Sequence, residues 1–257
     1  MDIKFVYAGL APTMGLMRDS RLNGSHLGWQ SVPWLMTQLP AGKDVLKSSV
    51  YLSQQEIYRQ LQEYACSQNI LIGERLLSWR QAWQSIRPAC ERILSDFFGE
   101  STQNLCNDVR ASLVFFPDNS YYLPENRFFL YIDQAPASAA AICVRELTRC
   151  LWFYIWQRHF GDDAANYQPG HWPWLLGELT RELIWTNPDW RAYEPEFFAA
   201  LDPGVNLGCG PLAQLTINGE PLLQSLQTRL QDHIVQEYME AAIAWLESLP
   251  ASILETS

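Results

Sequence analysis

Apolar and polar residues alternate over Ile3 to Ala8, and that two-residue period predicts an opening strand. From residue 9 to residue 49 the pattern breaks up. Gly24-Ser25, Val32-Pro33 and Leu39-Pro40-Ala41-Gly42 carry turn chemistry, so the stretch reads as irregular apart from a short helical turn over 32–38. Ser53-Gln54-Gln55-Glu56 has the form of a capping box. It predicts a helix to Ser67 with Ile57, Leu61, Tyr64 and Ala65 turned inward. A second helix is predicted over Glu74 to Arg87, with Leu76, Leu77, Trp83 and Ile86 inside. Pro88 suits the first turn of a third, running through Ile93 and Phe97 and stopped by Gly99.

Ala111 to Phe116 and Arg127 to Ile132 are β-rich. A short strand at Tyr121 to Leu123 lies between the turn residues Pro117-Asp118-Asn119 and Pro124-Glu125-Asn126. Together they predict a small antiparallel sheet. Ala135 to Phe160 follows as one long, nearly all-apolar helix. Its polar residues Arg145, Glu146, Thr148 and Arg149 are grouped mid-helix. After a loop over Gly161 to His171, Pro173 to Thr186 predicts a helix that ends at Asn187-Pro188. An aromatic, Pro-containing segment leads to Pro221. Leu222 to Leu249 reads as the last helix, with Leu223, Leu226, Leu230, Ile234, Tyr238, Ala241 and Trp245 at three- and four-residue steps. The fold class is therefore α+β and predominantly helical, with the small sheet packed against the buried 135–160 helix. A single domain over 1–257 is expected, with a mainly helical part at 1–110, a core at 111–187 and a helical part at 188–257.

Composition narrows the classes. With 48% hydrophobic and 18% charged residues in 257, the chain has the makings of a large core and little tendency to extended disorder. Eighteen Lys plus Arg against 28 Asp plus Glu give a net charge of −10. That sign disfavours a nucleic-acid partner, because no basic surplus exists to release counterions. No apolar run reaches the roughly 18 residues of a membrane span, and the acid at position 2 argues against a signal peptide; a cytoplasmic protein without a membrane partner is expected. Cys66, Cys90, Cys106, Cys143, Cys150 and Cys209 form no CxxC pair and read as reduced core residues. Cys143 and Cys150 share a helix face, but two turns separate them by about 10 Å, too far for a disulfide.

The chemistry concentrates in Arg145-Glu146-Leu147-Thr148-Arg149. Residues 145 and 149 lie one above the other on a helix face, and Glu146 lies roughly 100° round. The same spacing lets His-Glu-x-x-His bind zinc, with the Glu polarising the attacking water. Flanking residues 139–144 and 150–156 are uncharged, which is unlike a solvated face. Over residues 111–187 the order of elements resembles that of gluzincin-type zinc metallopeptidases. A strand-rich stretch precedes the apolar motif helix, and a later helix supplies a Glu as third ligand. The resemblance places Arg145 and Arg149 where the two His would stand, Glu146 at the general base, and Glu178 at the third ligand, with Glu182 as the second choice. The departure decides the chemistry. Arginine has a pKa above about 12 and offers a metal no lone pair. The resemblance thus implies a protein without metal or cofactor, with a vestigial Glu146 and no catalytic residue. The two guanidiniums would instead form an ion-pair cluster with Glu146, Glu178 and Glu182. An ordinary helix with a salt-bridged polar stripe is the alternative. Glu146-Leu147-Thr148-Arg149 recurs as Glu178-Leu179-Thr180-Arg181, an echo read as coincidence because these residues are common on helix surfaces.

Other candidates are sparser. His159 and His171 flank the loop between the two key helices and, with Glu178, would make a relocated metal site; exposed loop histidines are the bland reading. His26 and His233 lie apart. Trp172 and Trp174, beside Pro169, Gly170 and Pro173, are candidates for a surface groove together with Trp152, although aromatic runs more often form core. No P-loop, dinucleotide-binding glycine pattern or nucleophile elbow occurs. The preferred function is a non-catalytic, zincin-like protein that binds a polypeptide or another partner through a retained cleft or an aromatic surface. An active metal-dependent hydrolase at the relocated site, or an unrelated interaction or immunity-type module, are the alternatives.

Overall fold

The computed structural model describes residues 2–22, 54–99, 108–115, 121–122, 126–161, 163, 167–217, 219–230 and 235–249. The predicted turn over 32–38, the cap at Ser53, Cys106, His26, His233 and the inward position of Ile234 lie outside them. The elements in order are β1 (Ile3–Val6), α1 (Ala11–Leu22), α2 (Gln54–Ser67), α3 (Asn69–Phe98), β2 (Val109–Val114), β3 (Tyr121–Tyr122) and β4 (Arg127–Tyr131). They continue with α4 (Pro136–Phe160), α5 (Trp172–Thr186), α6 (Pro188–Tyr193), α7 (Pro195–Ala200), a 3-10 helix (Gly210–Gln214), β5 (Thr216–Ile217), β6 (Glu220–Pro221), α8 (Leu222–Leu230) and α9 (Val235–Glu247). The fold is α+β and predominantly helical, as the sequence pattern implies.

Two compact units divide the chain, one made of Ile3–Ala82 with Arg110–Ala139, the other of Met1–Asp2, Trp83–Val109 and Ala140–Ser257. The first holds a four-stranded sheet in the order β1-β2-β4-β3. Its inner pair departs from expectation. β2 and β4 run parallel, with Leu113 opposite Leu130, and only β3 runs antiparallel to β4. Turn residues suggested an antiparallel sheet throughout, but among the described pairs of this sheet only β3 and β4 run antiparallel. The burial pattern explains the difference. Ala111 to Phe115 and Phe128 to Leu130 are buried residue after residue, without alternation, as in sheets covered on both faces. Around Phe115 the unit closes with edge-on rings from Tyr7 and Tyr64, and the Phe115 N–H donates to Thr13 Oγ1 at 3.2 Å. In the same unit the Trp79 indole N–H donates to the Gln134 carbonyl at 2.9 Å.

α3 is one helix of 30 residues where two were expected. Pro88 sits inside it and removes one backbone donor. The helix continues because its buried stripe continues: Trp83 and Ile86 precede the proline, and Ala89, Cys90, Ile93 and Leu94 follow it. Leu77, placed inside by periodicity, is instead 55% exposed, and Trp79 takes the inward position. The predicted final helix is two, α8 and α9. In the second unit α5 packs against α8, α9 and the 3-10 helix, and Leu222, Leu226, Tyr238, Met239, Ala242 and Leu246 supply the buried face. Among the described residues no helix is long and apolar enough to cross a membrane.

Replacing Pro88 with Ala restores the missing donor at an exposed position of α3. The Pro88→Ala protein is expected to be more stable by up to about 3 kcal/mol, measured by chemical denaturation. A loss of stability would show that the helix needs the proline.

Candidate functional site

α4 is buried along most of its length, and Glu146 at its middle is completely so. Burying a carboxylate in such a setting requires partners, since an unpaired buried charge is prohibitively costly. The neighbours on the same helix supply them. Arg145 Nε donates to Glu146 Oε1 at 2.6 Å and Arg149 Nη1 to Glu146 Oε2 at 2.5 Å. Arg149 also crosses to α5, where its Nε donates to Glu178 Oε1 at 2.9 Å. Glu178 receives a fork from Arg181, three residues on: Nη1 to Oε1 at 3.0 Å and Nη2 to Oε2 at 2.5 Å. Arg181 also donates to the Gly208 carbonyl, with Nε at 3.2 Å and Nη2 at 2.7 Å. Three guanidiniums thus share two carboxylates in one chain of charge-assisted hydrogen bonds. The structure brings Arg145, Glu146, Arg149 and Glu178 together.

Arg181 is the member that the sequence reading left out. Its signal was the echo. In both Glu-Leu-Thr-Arg tetrads the Glu and the Arg pair three residues apart, and Leu147 and Leu179 are buried. Both threonines are buried and bonded. Thr148 donates to the Val144 carbonyl and accepts from the Trp185 indole at 3.1 Å, while Thr180 and the Tyr238 hydroxyl lie 2.9 Å apart. The repeat is therefore two equivalent helix faces, each with a hydroxyl bonded to an aromatic polar atom.

Glu182 stands apart from the guanidiniums. Its Oε2 accepts the Cys209 backbone N–H at 2.7 Å. A side chain at Gly208 would collide with this carboxylate, so the glycine admits it against the main chain. Trp152 is 1% exposed and does not line a surface groove. Its indole lies over Gly177, where an added Cβ would come within 2.6 Å of the ring, and its N–H donates to the Pro173 carbonyl at 3.2 Å. Its aromatic row continues to buried Trp156 at 6.2 Å and from there, a further 4.4 Å on, to exposed Phe160 at the helix end. Trp172 and Trp174 are partly exposed.

Two opposing effects act on Glu178. Burial pushes its carboxyl up, and Arg149 and Arg181 pull it down; the guanidiniums win and hold it below the usual carboxylate range. Burial pushes Arg181 down, opposed chiefly by Glu178. A guanidinium starting this high stays charged at neutral pH. Burial raises the Cys90 and Cys143 thiols, and burial with Glu182 pushes Cys209 up to about 12, so none of these three is a thiolate nucleophile at neutral pH. A zinc ion does not fit the motif position. The residues there are hydrogen-bond donors, and both Glu146 oxygens and both Glu178 oxygens already accept from them. Among the described residues no group of three or more His, Cys, Asp or Glu is placed to hold a metal ion, so His159, His171 and Glu178 do not converge on one.

Comparison with known protein families, with characterised proteins and with solved structures finds no match in any of the three.

Arg149→Ala leaves Glu146 and Glu178 each short of a guanidinium and is expected to cost about 3–5 kcal/mol, read by denaturant unfolding. A cost below about 1 kcal/mol, the surface-pair range, would mean that the cluster is solvated. Glu178 gives a pH signature. Its folded pKa lies below its unfolded value, so its contribution is complete above the ordinary Glu range, about 4.3, and is lost as pH falls through the lower folded value. Glu178→Gln should be less stable than the parent at neutral pH, with the gap between the two thermal midpoints closing on acidification. A gap that stays constant with pH would contradict the assignment.

Proposed function

We propose that this chain is a non-catalytic, zincin-like binding protein in which a chain of ion pairs occupies the position that a metal holds in the peptidases. The observation that carries the reading is the Arg149–Glu178 bond between the motif helix and the next helix. Second-histidine and third-ligand positions are the two that a zinc ion would connect, and here they are connected directly. In the active arrangement the carboxylate between the two ligands must be free to take a proton from water. Glu146 is fully buried and both its oxygens accept from arginine, which supports a structural role.

The binding side of the proposal rests on aromatic exposure. Tyr154 and Tyr193 are 40% and 63% exposed, and Trp172 and Trp174 are partly so. Aromatic residues of this kind are enriched where proteins meet other polypeptides. A cytoplasmic, reducing setting fits the five free thiols at Cys66, Cys90, Cys143, Cys150 and Cys209.

The test rebuilds the ligand set. Arg145→His with Arg149→His supplies two imidazoles one turn apart, and Arg181→Gln in addition releases Glu178 from its fork. The triple variant is expected to bind near-stoichiometric zinc, measured by metal analysis after dialysis, and to lose it when Glu178 is also replaced by Gln. If folded double and triple variants hold no more zinc than the parent, the zincin-like reading fails.

A further inference from the structure

Beyond the cluster, α6, α7 and the 201–208 segment enclose a pocket of about 360 Å³, within the roughly 300–1,000 Å³ of small-ligand sites. Trp185, Phe198, Leu201 and Val205 give it an apolar wall, and Arg191 contributes a cation. The Arg191 guanidinium carbon lies 4.9 Å from the centre of the Phe198 ring. Unlike Arg145, Arg149 and Arg181, this guanidinium has no ion pair among the described residues. Stacking on an aromatic face leaves its edge of N–H groups open, and that edge matches the two oxygens of a carboxylate. Asp202 also lines the pocket, but its Oδ1 accepts the Gly204 N–H at 2.8 Å.

The walls are tied to the motif helices. Arg181 holds the Gly208 carbonyl and Glu182 holds the Cys209 N–H, so the end of the pocket loop is fastened to α5 by one member of the charge cluster and by a carboxylate outside it. Trp185 joins the pocket to α4 through Thr148. Of the charge cluster, Arg181 is the member that reaches the recess, through the Gly208 carbonyl.

We infer that this recess binds a carboxylate carried next to an apolar group, with Arg191 taking the carboxylate and the Trp185–Phe198 wall taking the apolar part. Two sources present that chemistry, a free small acid and the carboxyl end of a polypeptide whose last side chain is apolar. The second deepens the proposed function and rests on it; the carboxylate site itself does not.

Titration of the full chain with N-acetyl-phenylalanine, with its amide, and with the peptide Gly-Gly-Phe separates the cases, followed by NMR shifts of the tryptophan indole signals and by calorimetry. The acid is expected to bind about ten-fold or more tightly than the amide, because the amide cannot accept a charged fork. Arg191→Ala should lower affinity for the acid by a similar factor, and Arg191→Lys should recover only part of it. Arg191 is exposed, and circular dichroism checks that both variants stay folded. Tighter binding of Gly-Gly-Phe than of the acetylated amino acid supports a chain end as the occupant; equal or weaker binding supports a free small acid. The proposal is overturned if no acid binds, if acid and amide bind alike, or if a folded Arg191→Ala protein keeps its affinity. Zinc uptake by the histidine variants is a separate measurement, so failure here leaves the zincin-like reading to its own test.

Discussion

The buried charges of the helical unit are joined across two helices by one side chain, Arg149. Its guanidinium pairs with carboxylates of two helices, Glu146 on α4 and Glu178 on α5. Buried ion pairs do not in general add stability relative to apolar packing, because desolvation consumes much of the attraction. What they do is discriminate. Glu146 finds its guanidiniums on its own helix, whereas buried Glu178 draws on Arg149 from α4 as well as on Arg181 beside it, and that bond favours one register of α4 against α5. The hydroxyls of Thr148 and Thr180 act in the same sense, each bonding an aromatic polar atom in an otherwise apolar layer.

Three of the longer helices were legible from their apolar pattern and their caps, whereas α1 fell in a stretch that read as irregular and the short α6 and α7 gave no periodic signal. α2, α4 and α5 have the boundaries expected to within a residue or two. Pro88 misled because a proline reads as a boundary when only local chemistry is weighed, whereas tertiary burial on both sides carries α3 through it. The sheet misled for the opposite reason. Turn residues announce hairpins, but parallel strands go with coverage on both faces, and the runs Leu113-Val114-Phe115 and Phe128-Phe129-Leu130 held that information.

The candidate site was half legible. Spacing alone put Arg145, Glu146 and Arg149 on one stretch of helix, and the resemblance offered Glu178 as their counterpart across the interface. Arg181 escaped because its tetrad looked like ordinary helix surface; nothing local distinguishes a solvated arginine from one that is buried and bonded to a carboxylate and a carbonyl. Gly208 escaped because its contribution is a backbone carbonyl, which no side-chain pattern can advertise. The same holds for the Arg191 recess, whose lining comes from α5 to α7 and a loop of small residues. Trp152 was misplaced as a surface aromatic; its apolar neighbours Leu151 and Phe153 are buried with it, and it points into the packing between helices.

Gly177 and Gly208 are small for reasons of space, not backbone freedom. The indole of Trp152 fills the volume where a side chain at 177 would go, and the carboxylate of Glu182 fills the one at 208. Positions 152 and 177, and positions 182 and 208, are therefore bound together in any lineage that keeps this arrangement. A larger residue at one glycine is viable only with a smaller or rerouted partner, so neutral drift at these sites has to proceed by paired change. The signature to look for among relatives is covariation: glycine at 177 travelling with tryptophan at 152, and glycine at 208 travelling with an acid at 182.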